Sequence, residues 1–139
     1  MKRFLLRLFA VALALNWIWE MIQMPAYEGF RGRSRAGPAA MCTAATFVDA
    51  VTTVVIYMLI SLVAARHLRH SRKYYAVTAI LGAACAVAFE KIASAGALWS
   101  YTGQMPIVPV LGVGLWPLAQ LTLLVPLSVL LAVYWGSHD

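Results

Sequence analysis

Four long apolar runs, separated by three loop-like segments, limit what this chain can fold into. The runs cover about residues 4–24, 42–65, 74–96 and 113–135, and each is close to the roughly 20 residues that an α-helix needs to cross a bilayer core. The composition agrees, because 63% of the 139 residues are hydrophobic and only 12% are charged. The sequence therefore predicts an all-α membrane protein in which four transmembrane helices form one compact domain over residues 1–139.

The basic residues predict the orientation of these helices. Lys and Arg accumulate in the cytoplasmic loops of membrane proteins. With the N-terminus inside, seven basic residues flank cytoplasmic helix ends and three lie outside, so we expect both termini in the cytoplasm. The seven are Lys2, Arg3, Arg7, Arg66, Arg69, Arg72 and Lys73, and the three are Arg31, Arg33 and Arg35. No basic stripe is interleaved with aromatic residues, and we expect no nucleic-acid partner.

Three acidic residues fall inside the apolar runs. A carboxylate in hydrocarbon costs at least about 2.5–3.5 kcal/mol, so such residues are candidates for function. Glu20, Asp49 and Glu90 lie on three different helices, and in this topology all three lie at a similar depth in the outer leaflet. We therefore predict that these three acids are catalytic residues sharing one site.

Further polar side chains repeat at helical spacing around the acids. Because lipid cannot satisfy polar groups, each stripe is expected to face the bundle interior. The stripes are Asn16, Glu20, Gln23 and Tyr27 on the first helix, Thr46, Asp49, Thr53 and Tyr57 on the second, and Trp116 and Gln120 on the fourth. We predict one cavity in the outer half of the bundle, opening sideways to the outer leaflet or upward. Its expected lining is Asn16, Trp19, Glu20, Gln23, Asp49, Thr53, Glu90 and Gln120.

The segment between the third and fourth helices, Trp99 to Gly114, is apolar and rich in proline and glycine. Such a segment is too apolar for a linker exposed to water, and we expect it to cover the mouth of the bundle as an outer loop. Together with the stripes it completes the predicted substrate-binding set. That set is Asn16, Trp19, Gln23, Thr53, Trp99, Tyr101, Gln104, Trp116 and Gln120.

Other interpretations of the polar residues remain open at this stage. The acids and amides could simply hold four helices together, and Lys91 could either extend to the interface or pair with Glu20 or Asp49. Cys42 and Cys85 are interpreted as small buried thiols. We expect no cofactor and no metal site, because His67 and His70 lie in the predicted cytoplasmic loop and His138 is terminal, so none of them can join the three acids. The alternative is that the carboxylates alone hold Mg²⁺ or Ca²⁺.

Four segments carry a resemblance that covers most of the chain. They read NWIWEMIQMPAY, MCTAATFVDA, FEK and WSYTGQMPIVPVLGVGLWPLAQ, and they resemble a family of small bacterial four-helix inner-membrane proteins without a described activity. The resemblance implies a bacterial inner-membrane location and importance for Glu20, Asp49, Glu90, Trp99, Tyr101, Gln104 and Gln120. Met41 departs from the histidine that relatives carry there, which removes any metal or proton-transfer role of that position.

A shorter segment is similar to a second family. Asn16, Trp19 and Glu20 are spaced as N-x-x-W-E, which is similar to a helix motif of integral-membrane terpene cyclases. The similarity implies an acidic residue that protonates an epoxide or an olefin.

Two classes of function follow from these features. In the first, the protein binds a lipid or an isoprenoid, and Glu20 donates a proton that starts a cyclisation or isomerisation. Asp49 and Glu90 then act as base or counter-charge, while Trp19, Trp99 and Trp116 form the walls. The alternative is a non-enzymatic accessory subunit of a membrane complex, or a small carrier. The expected partners are membrane lipids, a hydrophobic small molecule or another membrane protein. The two classes differ in whether the three acids face one cavity.

Overall fold

The computed structural model describes residues 1–27, 36–63, 71–96 and 98–137, and side chains of the second range from residue 40 onward. Several residues used in the sequence analysis lie outside the described residues. They are Arg31, Arg33 and Arg35, expected outside, Arg66 and Arg69, expected inside, and His67, His70 and His138.

Within the described residues the chain forms four long helices, as the apolar runs predict. They are α1 (Lys2–Gln23), α2 (Ala36–Val63), α3 (Arg72–Ala95) and α4 (Leu115–Gly136). Each is long and apolar enough to cross a membrane. A single turn of 3-10 helix, Met24–Ala26, continues α1.

Local sequence accounts for several helix ends. Ser71 precedes α3, and its side chain accepts a hydrogen bond of 3.2 Å from the Tyr74 backbone N–H, which satisfies one of the free donors of the first turn. Pro117 lies in the first turn of α4, where a missing N–H removes no intrahelical bond. Helix α4 contains a second proline, Pro126, in its interior.

The helices pack unequally around the bundle. Helix α1 contacts both α2 and α4, and α3 contacts chiefly α4, whereas α2 and α3 contact each other much less. Gly82 explains the close approach of α3 to α4, because a β-carbon there would overlap the backbone carbonyl of Leu121. Helix α3 therefore packs closely on α4, and a gap is left between α2 and α3.

An apolar core fills the part of the bundle near the N-terminus of α1 and the C-terminus of α4. We call this part the apolar half. Its buried residues are Leu8, Ile56, Ile60, Tyr74, Val125, Val129 and Ala132.

The segment from residue 98 to residue 114 leads from α3 to α4 and on its way contacts the C-terminal end of α1. The Thr102 N–H donates a 2.9 Å hydrogen bond to the carbonyl of Ala26, and Tyr101 forms an antiparallel bridge with Tyr27. The segment also contains a small hairpin that the sequence did not predict, in which β1 (Ile107–Val108) pairs with β2 (Val113–Gly114). Gly112 takes a φ of 62° in its turn, a conformation that favours glycine.

Candidate functional site

Most polar side chains of the three stripes are buried at the opposite end of the bundle from the apolar core, whereas Tyr27 and Tyr57 are half-buried and Trp116 is exposed. We call this end of the bundle the polar half. Its buried polar residues are Asn16, Glu20, Gln23, Thr46, Asp49, Thr53, Glu90 and Gln120. Four helices contribute to this set, so the helical spacing correctly predicted which faces point inward.

The amide of Gln120 connects three of the helices. Its Nε2 lies 3.1 Å from Glu20 Oε1 and 2.9 Å from Asp49 Oδ2. The same nitrogen lies 3.0 Å from Asn16 Oδ1. An amide nitrogen carries two hydrogens, so three acceptors compete for two protons. Glu20 and Asp49 therefore form a pair of acids around one donor, and we call Glu20, Asp49 and Gln120 the acid pair cluster.

Gln23 sets the orientation of this cluster. Its Nε2 donates to Glu20 Oε1 at 2.9 Å and to Gln120 Oε1 at 2.8 Å, so the Gln120 oxygen is occupied and its nitrogen must face the acids. The Trp19 indole in turn donates to Gln23 Oε1 at 3.2 Å. A chain of hydrogen bonds thus fixes both amides before any ligand is present.

Glu90 belongs to a second group of hydrogen bonds, formed with aromatic residues. The Tyr101 hydroxyl donates to Glu90 Oε2 and accepts a 3.0 Å bond from the Gly114 N–H. Tyr27 and Trp99 also lie beside Glu90, and the buried Nε1 of Trp99 has no hydrogen-bond partner among the described residues. Through these contacts Glu90 holds the loop against the bundle.

Tyr27 lies just beyond the first span and remains a donor. Burial, followed by the charge of Glu90, raises the pKa of Tyr27 well above its ordinary value. Its ring packs against Trp99 and Tyr101, with centroid distances of 5.9 Å and 5.7 Å. The phenol therefore keeps its proton, and the three rings form an aromatic group at the Glu90 side of the site.

A cavity of about 330 Å³ lies between the acid pair cluster and this aromatic group. Glu20, Asp49 and Glu90 all line it. Its remaining surface is mostly apolar and comes largely from α2 and α3, including Ala44, Ala45, Val48, Ala86, Phe89, Ile92, Ala93 and Leu98. Val48 is 47% exposed and Ile92 is 66% exposed, so the cavity opens sideways through the gap between α2 and α3.

The predicted site residues divide into those that line the cavity and those that do not. The lining includes Glu20, Gln23, Asp49, Glu90, Trp99 and Gln120. It does not include Asn16, Trp19, Thr53, Tyr101, Gln104 or Trp116. Tyr101 nevertheless contacts the site through its bond to Glu90.

Asn16 and Thr53 lie behind the cavity wall. Asn16 donates a 2.8 Å bond to the carbonyl of Ala12 and accepts from Gln120. Thr53 donates a 2.9 Å bond to the backbone carbonyl of Asp49, not to its carboxylate. Both side chains donate to backbone carbonyls of their own helices, one turn away from the acids. The polar stripes are longer than the cavity is deep, so these two residues lie beyond it.

The predicted walls of Trp19 and Trp116 are corrected by the packing. These two rings pack edge to face against each other, 6.3 Å apart, and Trp116 is 41% exposed. Neither lines the cavity, because the two rings pack on each other, whereas Glu20 and Gln120 of the same two helices do line it. Gln104 is exposed on the loop, where its backbone N–H donates to Thr102 Oγ1 at 3.2 Å.

Several lining residues were not predicted to line the site, namely Tyr27, Met41, Cys42 and Phe89. Cys42 precedes Asp49 by two helical turns, and Tyr27 belongs to the Glu20 stripe. Tyr27 could have been found by including every member of the α1 stripe in the lining, and Cys42 by extending the α2 stripe one step back from Thr46. Phe89 carried no such signal, since it is one of many apolar residues on α3.

The ionisable side chains that line the cavity include three acids. In the part of the chain that the structure describes, no Lys or Arg side chain lines it. Lys91 is exposed, and its ammonium lies beside Gly112, 3.4 Å from where a β-carbon of that residue would stand. Among the described residues, no three of His, Cys, Asp and Glu are close enough together to hold a metal ion.

Comparisons with protein-family models, curated proteins and solved structures find no match to this chain.

Proposed function

We propose that this protein is an integral membrane protein that binds a lipid or an isoprenoid in the cavity between α2 and α3. The observation that carries the proposal is the lining of one cavity by three carboxyl groups from three helices, together with a mostly apolar surface. A binding site of this kind is concave, mainly apolar and supplied with a few polar groups that fix orientation. If the acids served only to join helices, no such space between them would be needed, which favours a site over an accessory subunit.

Both termini lie in the cytoplasm under this proposal, and the cavity opens to the outer leaflet. The seven basic residues expected on the inner side support this orientation. A reporter fused after Asp139 is expected to be cytoplasmic, and one inserted between Gly32 and Gly37 is expected to be external. A C-terminus outside the membrane would contradict the orientation and would place the cavity in the inner leaflet.

The chemistry proposed for the cavity is an acid-started isomerisation or cyclisation. Glu20 in its acid form transfers its proton to an olefin carbon or an epoxide oxygen of the bound isoprenoid, and the breaking π or C–O bond leaves a carbocation. An olefin within the same ligand supplies the electron pair when a ring forms. The Glu90 carboxylate then removes a proton from the carbon next to the cation and restores a C=C bond. One proton enters and one leaves, so the product has the composition of the substrate.

The aromatic lining supports this sequence of steps. The rings of Trp99, Tyr27 and Phe89 line the cavity, and the faces of such rings stabilise a nearby positive charge. The acid pair cluster and Glu90 belong to separate hydrogen-bond groups. The donor and the acceptor of the proton thus come from different hydrogen-bond groups that line one cavity.

The test uses the full chain in lipid nanodiscs, with farnesol and the terminal epoxide of farnesol as probes. Products of unchanged mass are sought by gas chromatography with mass spectrometry, and the reaction is repeated in D₂O to detect deuterium transferred to carbon. We expect an isomeric product from the wild type and a loss of at least about 100-fold for Glu20→Gln, within the usual range for a general acid. Ser128→Ala, in the apolar half, is the matched control and should retain full activity.

Two results would count against the proposal. Equal product from the wild type and Glu20→Gln would mean that the conversion does not depend on this acid. If neither farnesol nor its terminal epoxide binds, the accessory-subunit or carrier alternative becomes the better account.

A further inference from the structure

Most donors of the cavity wall are already directed at carboxylates. The Nε2 atoms of Gln23 and Gln120 are bonded within the acid pair cluster. On the other side, the Tyr101 hydroxyl donates to Glu90, and Tyr27 lies beside the same carboxylate. The site therefore offers a ligand several acceptor oxygens. The donors left to a ligand are the acid proton of Glu20 and the indole N–H of Trp99, which has no partner among the described residues.

A phosphate group needs the opposite surroundings. Phosphate binding sites use Arg, Lys or several free N–H groups, because the ligand is anionic and accepts hydrogen bonds. Within the described residues the lining has no Lys or Arg and includes three acids. An anion placed among carboxylates is repelled more strongly in a low-dielectric interior than in water. A hydroxyl or an ammonium group, by contrast, donates to these oxygens and suits the site.

The gap between α2 and α3 indicates where the apolar part of the ligand lies. A second, purely apolar depression is formed farther along the same two helices by Leu59, Ile60, Val63, Val77 and Leu81. From Val48 at the cavity mouth to Leu59 the rise along α2 is roughly 16 Å, at 1.5 Å per residue. A linear chain that leaves the cavity sideways can follow this gap in contact with both helices.

We propose that the cavity selects single-chain lipids whose polar end is a hydroxyl or an amine, and rejects those that end in a phosphate or a diphosphate. This inference rests on the proposed function, because it assumes that the cavity binds a lipid. It adds the chemical class of the polar end, which is set by the acids and by the absence of basic lining residues in the described chain. It also places the apolar chain between α2 and α3.

The test compares three probes that share one chain, namely farnesol, farnesylamine and farnesyl phosphate. Dissociation constants are measured for the full chain in nanodiscs of neutral lipid from the change in tryptophan fluorescence. Trp99→Phe identifies the share of the signal that arises in the cavity. We expect farnesol and farnesylamine to bind at least tenfold more tightly than farnesyl phosphate. Glu90→Gln, which keeps the size of the side chain, should reduce the advantage of the amine over the phosphate by at least threefold.

A matched pair of variants tests the path of the chain. Ala44→Phe adds bulk at an exposed lining position of α2, and Ala14→Phe makes the same change at an exposed position of α1 that lines neither the cavity nor the apolar depression. We expect the first to weaken farnesol binding at least fivefold and the second to leave it unchanged. Equal effects of the two variants would contradict the placement between α2 and α3.

The outcomes separate this inference from the proposed function. Farnesyl phosphate binding as tightly as farnesol would overturn the proposed selectivity and leave lipid binding intact. Binding of none of the three probes would overturn both. An unchanged preference for the amine in Glu90→Gln, Glu20→Gln and Asp49→Asn would show that the acids do not set the selectivity.

Discussion

The apolar half and the polar half of this bundle are built from the same four helices but are filled differently. The apolar half is closed by side chains such as Leu8, Val125 and Val129, none of which has any exposed surface. The polar half buries acids and amides and contains a cavity of about 330 Å³. Well-packed interiors contain few voids larger than a water molecule. The apolar half also has a depression between α2 and α3, at Ile60, but its lining is wholly apolar, whereas acids and amides line the cavity of the polar half. The two halves therefore differ in the chemistry of their lining, which is what suits the polar half to a ligand with a polar group.

The two halves are also held together by different interactions. In a bilayer, lipid tails are as apolar as leucine, so apolar helices associate mainly through van der Waals packing. The polar half relies on interhelical hydrogen bonds such as those of Gln120 to Glu20 and Asp49. Such bonds average well under 2 kcal/mol in membranes. Stability should therefore depend more on packing in the apolar half, and ligand binding on the polar half.

The largest expected effect comes from removing packing in the apolar half. Leu8→Ala creates a void at a fully buried position and should lower the free energy of unfolding by about 2–5 kcal/mol. Farnesol binding to the fraction that remains folded should be unchanged, because Leu8 does not line the cavity. Unfolding in mixed micelles of mild detergent and sodium dodecyl sulfate measures the first quantity. A parallel loss of affinity would mean that the halves are not independent.

An intermediate effect is expected from the centre of the polar half. Gln120→Leu removes the donor that Glu20, Asp49 and Asn16 share, and should lower the free energy of unfolding by about 1–3 kcal/mol because buried acceptors lose their partner. It should also weaken farnesol binding, since both acids lose their fixed orientation. The same unfolding assay and the fluorescence titration measure the two effects. If the variant is destabilised but binds farnesol normally, the acid pair cluster holds the helices together and takes no part in binding.

The smallest effect is expected from Ser128, a polar residue of the apolar half. The Ser128 hydroxyl is buried in the apolar half and has no hydrogen-bond partner within the described ranges. Ser128→Ala should therefore raise the free energy of unfolding by about 1 kcal/mol, because an unsatisfied group is removed. Thr46→Val, with an equally unpartnered hydroxyl in the polar half, is the matched comparison. A loss of stability in both variants would indicate partners outside the described residues.

The fold and part of the site could be predicted from the sequence, for reasons that are local. A helix that crosses a bilayer must satisfy its own backbone, so a run of about 20 apolar residues already specifies its extent. Helical periodicity then assigns Glu20 and Gln23 to one face of α1 and Asp49 to the inner face of α2. Each polar residue must face inward to avoid lipid, so the burial of these side chains also followed from the sequence.

The tertiary structure decided where the cavity lies and which neighbours of the acids reach it. Trp19 and Trp116 shared the predicted depth but pack against each other, whereas Phe89, which carried no signal, lines the cavity. The position of the gap depends on unequal packing, in which Gly82 lets α3 approach α4 and leaves α2 apart from α3. The path of the loop likewise depends on bonds between Tyr101 and Glu90 and between Thr102 and Ala26. Local periodicity determines which face of a helix is buried, but only contacts between distant segments determine what that face meets.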